Sequence, residues 1–178
     1  RSLSREGWAS RFAVLYALRE GTARGIVLTA DNMIPLLPPV NFLEGRSLTL
    51  RRGEDISPEL LLEQLTGWGY QRVSMVAHAG DMARRGDIFD VLPPGYERPV
   101  RLEFFGDTVD ELRSFDFSTQ RSIGSLDEIT LLPVTPLSMG KDGLIQARKY
   151  WQNLQSLQVL SDLGRESLDN AFEHGDMR

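Results

Sequence analysis

The hydrophobic residues of this chain change their period along its length. In "SREGWASRFAVLYAL", residues 4–18, Trp8, Phe12, Leu15 and Tyr16 recur at helical spacing behind Ser4, which predicts a capped helix with one core-facing side. "RGIVLTADNMIPLLPP" supplies a short apolar run, Ile26 to Thr29, then a cap at Asp31 or Asn32 and a stop at Pro38 and Pro39. That order predicts a buried strand leading into a helical turn, the grammar of an α/β layer. "RSLTLRRGEDI" alternates Leu48 and Leu50 with polar neighbours and closes on Gly53, a further strand.

From Ser57 the pattern differs. "SPELLLEQLTGWGY" has a cap, a proline at the first helical position, an early acid at Glu59, an apolar face of Leu61, Leu62 and Leu65, and a glycine stop at Gly67. Next come four strand-like runs, "QRVSMVAH", "RGDIFDVLPP", "PVRLEFF" and "TVDELRSFDF", separated by glycine or proline turns. Loops this short favour antiparallel neighbours, so residues 57 to about 134 read as a helix packed on one face of a small meander whose other face is wet. In the last run Val109, Leu112 and Phe115 recur every third position, which calls for a bulge or a partly helical segment, the bulge being preferred. "LLPVTPL" is extended and reads as a linker. Residues 143–171 return to helical spacing with Tyr150, Leu154, Leu157 and Leu160 and break near Gly164, before a second short helix.

One residue breaks the alternation. In "VRLEFF", Val100, Leu102 and Phe104 share the core-facing side, which leaves Arg101, Glu103 and Phe105 together on the opposite face. An aromatic beside an arginine and a carboxylate has the composition of a protein-binding hot spot. Arg85 can join them across the ladder. The competing reading is that Phe105, just before the Gly106-Asp107 turn, twists away from alternation and closes the bottom of the core.

Composition narrows the chemistry. The 178 residues carry 25 acidic and 20 basic groups, a net charge of −5, so there is no bulk attraction to nucleic acid or to an anionic membrane. Cysteine is absent, which removes disulfides, thiolate metal sites and cysteine nucleophiles and suits a reducing compartment. With no long apolar run and no signal segment, the chain reads as soluble and cytoplasmic. Its start at "RSLS" and its polar, helix-like close at "FEHGDMR" read as a piece of something longer. The only lysines, Lys141 and Lys149, lie outside any phosphate-binding loop, His78 and His174 stand far apart, and no serine has a nucleophile's setting. From Asp81 to Phe117 nine acids face five arginines, which does not build a nucleic-acid groove. No catalytic residue, metal site or cofactor is expected.

"RRGDIFDVLP", then "RPVRLEFFGDTVDELRSFD", "STQRS" and "EITLLPV" together resemble the segment shared by the excision-repair protein UvrB and the bacterial transcription-repair coupling factors. The wording "FDFSTQRS…LLPV" and the Tyr150–Gln152 helix are more similar to the coupling factors. The resemblance implies an α/β (α+β) architecture: residues 1–55 as part of a RecA-like layer, 56–135 as an inserted antiparallel-sheet-plus-helix domain that binds UvrA, and 136–178 as a linker and returning helices. It implies partner-binding roles for Arg72, Arg85, Arg101, Glu103 and Phe105, and puts in doubt a further family arginine whose place is taken by Ala83, with Arg84 offset by one residue. It also implies masking of the docking surface by the rest of the intact chain, and contacts to RNA polymerase and DNA through domains absent here, the fragment itself being a monomer. On this reading Phe105→Ala and Arg101→Ala each cost about 1–3 kcal/mol of UvrA binding and leave stability within about 1 kcal/mol. The alternative is a UvrB-type fragment that contacts nucleotide or DNA.

Overall fold

The first helix forms as its spacing predicts: α1, Arg5–Arg19, is capped by the Ser4 hydroxyl, which accepts from the Gly7 N–H at 3.2 Å. Its Phe12 is fully buried and stacks between Trp8 and Phe42, at ring-centroid distances of 5.7 and 5.1 Å, Phe42 lying in a 3-10 turn at Val40–Leu43. The computed structural model describes residues 4–27, 29, 38 and 40–136. The chain divides into two compact units, 1–137 and 138–178, and the helices expected after residue 143, like the cap at Asp31 or Asn32, lie outside the described residues.

The strand expected at Ile26–Thr29 does not form among its described residues. Gly25–Val27 carry no strand pairing, and Val27 is fully exposed. A short apolar run supplies the pattern of a strand, but a strand exists only where a neighbour completes its ladder, and none of the described strands lies alongside.

Two sheets build the rest. β1, Leu48–Arg51, pairs antiparallel with β8, Glu128–Leu131, with Leu48 opposite Leu131 and the Thr49 and Thr130 hydroxyls 3.1 Å apart. This pair runs across the domain boundary expected after residue 55. The second sheet has six strands in the order β2-β3-β4-β5-β6-β7: Gln71–Arg72, Asp81–Arg85, Ile88–Val91, Val100–Phe105, Thr108–Phe115 and Ser122–Ser125. All its pairings are antiparallel except β2 with β3. One side of the sheet packs on α2, Pro58–Gly67, through Leu61 and Leu65, which meet Met82, Phe89, Val91, Val100, Leu102, Phe104, Val109 and Leu112 in one buried core. At the helix start Ser57 holds the cap position, but its hydroxyl donates to Glu59 instead of capping a backbone N–H. Among the described residues no helix is long and apolar enough to cross a membrane.

The run "QRVSMVAH" shrinks to the two residues of β2 because the Asp81 carboxylate bends the chain beyond them. It accepts from the Ala77 and His78 N–H groups at 3.1 and 2.8 Å and receives Arg5 of α1 at 2.8 Å, so residues 73–80 turn back and bring β3 alongside β2 in parallel. "RGD" is likewise a turn, not the opening of a strand: Arg85 closes β3 and the chain reverses through Gly86 and Asp87 into β4.

The expected bulge is present. In the β5–β6 ladder Glu103 faces Glu111 and Phe104 faces Val109, so Asp110 is the extra residue, and its carbonyl accepts from Arg52 Nε at 3.0 Å. The bulge lets Val109 and Leu112 both reach the helix side. Phe115, by alternation from Arg113, goes to the other side, where it is nonetheless fully buried.

The glycine stop of α2 is Gly69 and not Gly67, which is still helical. Gly69, at φ +90°, takes the left-handed position, and a Cβ there would collide with Thr135 in the chain segment that closes the domain. Gly69→Ala is expected to cost about 1–3 kcal/mol, adding backbone strain to the clash, and to lower the urea midpoint with no change in slope.

Candidate protein-docking face

The side of the sheet away from α2 is not uniformly wet. Register places Ala83, Asp90, Arg101 and Arg113 side by side on neighbouring strands, and Arg85, Ile88, Glu103 and Glu111 in the next row, with Phe105 beyond them beside the β5–β6 turn. On β3, β4 and β5 exposure rises from row to row. Ala83 is covered by Val76 and Leu92, Asp90 is 1% exposed, and Phe115 lies sealed beneath Arg101. In the second row Ile88 is 36% exposed, and Phe105 at the end is 83% exposed. The reading in which Phe105 closes the core is thus set aside: Phe104 fills that role, its N–H bonded to the Asp87 carbonyl at 2.8 Å. Gly106, at φ +62°, gives the tight hairpin turn that ends β5 immediately after Phe105 and holds the ring at the sheet's rim.

Arg101 is the best anchored of the predicted residues. Its Nε and Nη2 fork onto the Asp90 carboxylate at 2.7 and 2.9 Å, its Nη2 also reaches Gln120 Oε1 at 3.3 Å, and its Cζ sits 4.6 Å from the centroid of the Phe115 ring. The hydrogen bonds to Asp90 hold its pKa above the usual guanidinium value. Arg85 reaches the same carboxylate at 3.4 Å with its side chain mostly in water. Sequence reasoning did not single out Asp90. The signal was available, since "IFDV" sets one carboxylate in an apolar strand run, and such a group is buried only with partners.

Glu103 is half-exposed and 4.0 Å from Arg113, which also pairs with Glu111. The face therefore carries three arginines, 85, 101 and 113, against three carboxylates, 90, 103 and 111, and is neutral as a whole. A neutral, alternating face with an apolar projection is matched to a protein surface of complementary pattern and ill suited to a phosphate backbone.

The structure brings Arg85, Arg101, Glu103 and Phe105 together and leaves Arg72 apart. Arg72 is exposed on the edge strand β2, in register with Met82, whose side chain is buried in the helix-side core, and it has no ion-pair partner among the described residues. Arg84, the residue offset from the family's extra arginine, also belongs to the helix side, where it pairs with Glu59 at 2.7 Å. Ala83 is buried, so no contact can be made from that position.

The loop from Asp116 to Arg121 borders Arg101. The Asp116 carboxylate accepts from the N–H and hydroxyl groups of both Ser118 and Thr119, at 2.6–3.1 Å, and these bonds hold its pKa down at about 2. Because the folded value lies below the ordinary one of about 3.9, the loop is fully braced above pH ~4 and loosens as the pH falls toward 2. Amide protection at Ser118 and Thr119, taken relative to the intrinsic exchange rate at each pH, is expected to fall over that window, and Asp116→Asn to remove most of that fall. Among the described residues no cluster of His, Asp and Glu could hold a metal ion.

Residues 48–136 match the UvrB interaction domain family. The transcription-repair-coupling factor of Escherichia coli (strain K12) is 32% identical over 145 residues, which cover 82% of this chain and 13% of that protein. The protein of the same name from Myxococcus xanthus is 35% identical over 124 residues, and that from Staphylococcus aureus (strain MRSA252) 35% identical over 123, each covering 69% of this chain and 10% of the relative. The chain thus spans 10–13% of the length of these curated relatives.

Proposed function

Starting from the chain's membership of the UvrB interaction domain family, we propose that its β3–β6 face is a docking module for the damage-recognition ATPase UvrA in transcription-coupled nucleotide-excision repair. The observation that carries this reading is the placement of Phe105, 83% exposed at the rim of a rigid sheet with Ile88, Arg85 and Glu103 beside it. An aromatic projection fixed by a hairpin loses little freedom when it enters a pocket, and the alternating charges around it set register with the partner. Similarity to transcription-repair-coupling factors supports a role in bringing UvrA to stalled transcription complexes.

The module acts by binding and not by catalysis, without a cofactor, in the cytoplasm. Contacts to RNA polymerase and DNA belong to other parts of the larger protein, and the docking face is masked there until it is needed. Titration of the purified 178-residue chain against UvrA tests the reading. Saturable binding that depends on the β5 face supports it, and tighter binding by this chain than by the full-length protein supports the masking. Absence of binding by a folded chain rejects it.

A further inference from the structure

Gln120 is the only non-glycine residue with a positive φ, +59°, among those described. A glutamine there is unusual, because left-handed backbone is easily reached only by glycine and, less so, by asparagine or aspartate. Its side chain gives a reason. The carboxamide Nε2 donates to the Phe117 carbonyl at 2.9 Å within the loop, while Oε1 accepts from Arg101 Nη2 at 3.3 Å. The loop itself is pinned at both ends of its turn, with Gln120 N–H bonded to the Asp116 carbonyl at 2.7 Å and Asp116 N–H to the Arg121 carbonyl at 3.0 Å.

Taken with Asp90, this fixes the plane of the Arg101 guanidinium from two sides. Nε and Nη2 are committed, to Asp90 and to Gln120, and the Phe115 ring supports the flat face. Nη1 has no acceptor among the described residues. We infer that Gln120 is a positioning residue for docking: it holds Arg101 so that Nη1 is aimed at an acceptor, a carboxylate or a backbone carbonyl, on the partner protein. This rests on the docking function proposed above and assigns the loop a part in it that the β5 pattern did not show.

The acceptor role separates this from a purely structural one. Gln120→Met keeps the length and the backbone requirement but removes both hydrogen bonds, whereas Gln120→Glu keeps the acceptor for Arg101 and loses only the bond to Phe117. In titrations of the 178-residue chain against UvrA, Gln120→Met is expected to weaken binding about fivefold with only a small drop in melting temperature, and Gln120→Glu to stay within about twofold of wild type. In an Arg101→Lys background the Met substitution is expected to add nothing, because the ammonium has no plane to hold. In the free chain, ¹⁵N NMR of the Arg101 guanidinium is expected to show slowed rotation that Gln120→Met relieves.

Wild-type affinity in Gln120→Met, or an equal loss in the Arg101→Lys background, overturns the inference while leaving the docking function standing. A wild-type chain that does not bind UvrA at all overturns both.

Discussion

Arg101→Ala is expected to lower the unfolding free energy by about 3–5 kcal/mol, not to leave it within the 1 kcal/mol that the family resemblance implied. The reason is Asp90. Its carboxylate is 1% exposed and is held by two short bonds from Arg101, with only a longer one from the solvent-facing Arg85. Removing Arg101 strands a buried negative charge and also uncovers the Phe115 ring. Urea denaturation of the variant checks the magnitude. The double variant Arg101→Met, Asp90→Leu separates the two effects: with both charges gone, most of the lost stability is expected to return, because an ion pair of this kind contributes less than its removal by halves costs. An Arg101→Ala variant as stable as wild type would contradict the arrangement described. Any loss of UvrA binding by Arg101→Ala must accordingly be read beside a melt, since part of it is unfolding.

Phe105→Ala is expected to do the reverse. The ring is 83% exposed, contributes almost nothing to the core and ends a strand whose ladder does not depend on its side chain, so the melting temperature is expected to hold within a degree or two. Binding to UvrA is expected to weaken by about 1–3 kcal/mol, or roughly 5- to 150-fold, mainly through faster dissociation. Calorimetric titration gives the affinity and surface plasmon resonance the rates. Phe105→Leu, which keeps most of the apolar area without the ring, is expected to fall between. Unchanged affinity in Phe105→Ala would remove the central contact of the proposed interface.

These two residues show how far strand alternation can be trusted. Alternation correctly placed Arg101, Glu103 and Phe105 on one face, because register on a half-buried sheet is fixed by the apolar residues opposite, Val100, Leu102 and Phe104, and a one-residue slip would bury the charges. Alternation says nothing about depth along that face. Arg101 and Phe105 are four residues apart on the same side, yet one is mostly covered and the other stands in water. What covers the inner end comes from elsewhere in the chain: Val76 from the loop after β2, and Gln120 from the loop after β6.

Helices α1 and α2, the β5–β6 hairpin, the bulge near Asp110 and the outward face of β5 were all determined by local sequence. Each depends on neighbours within a few positions: capping groups, a proline at the first turn, a glycine at a hairpin, and apolar spacing. The absence of strand pairing at Gly25–Val27, the contraction of "QRVSMVAH" to two residues, the separation of Arg72 from the other arginines and the burial of Asp90 were decided only by tertiary structure. Each of those turns on a partner distant in sequence, whether a neighbour that none of the described strands supplies, the Asp81 carboxylate held by Arg5, or the guanidinium of Arg101. Hydrogen bonds and charges are satisfied by whatever group the fold brings near, and no periodicity along the chain encodes which group that is.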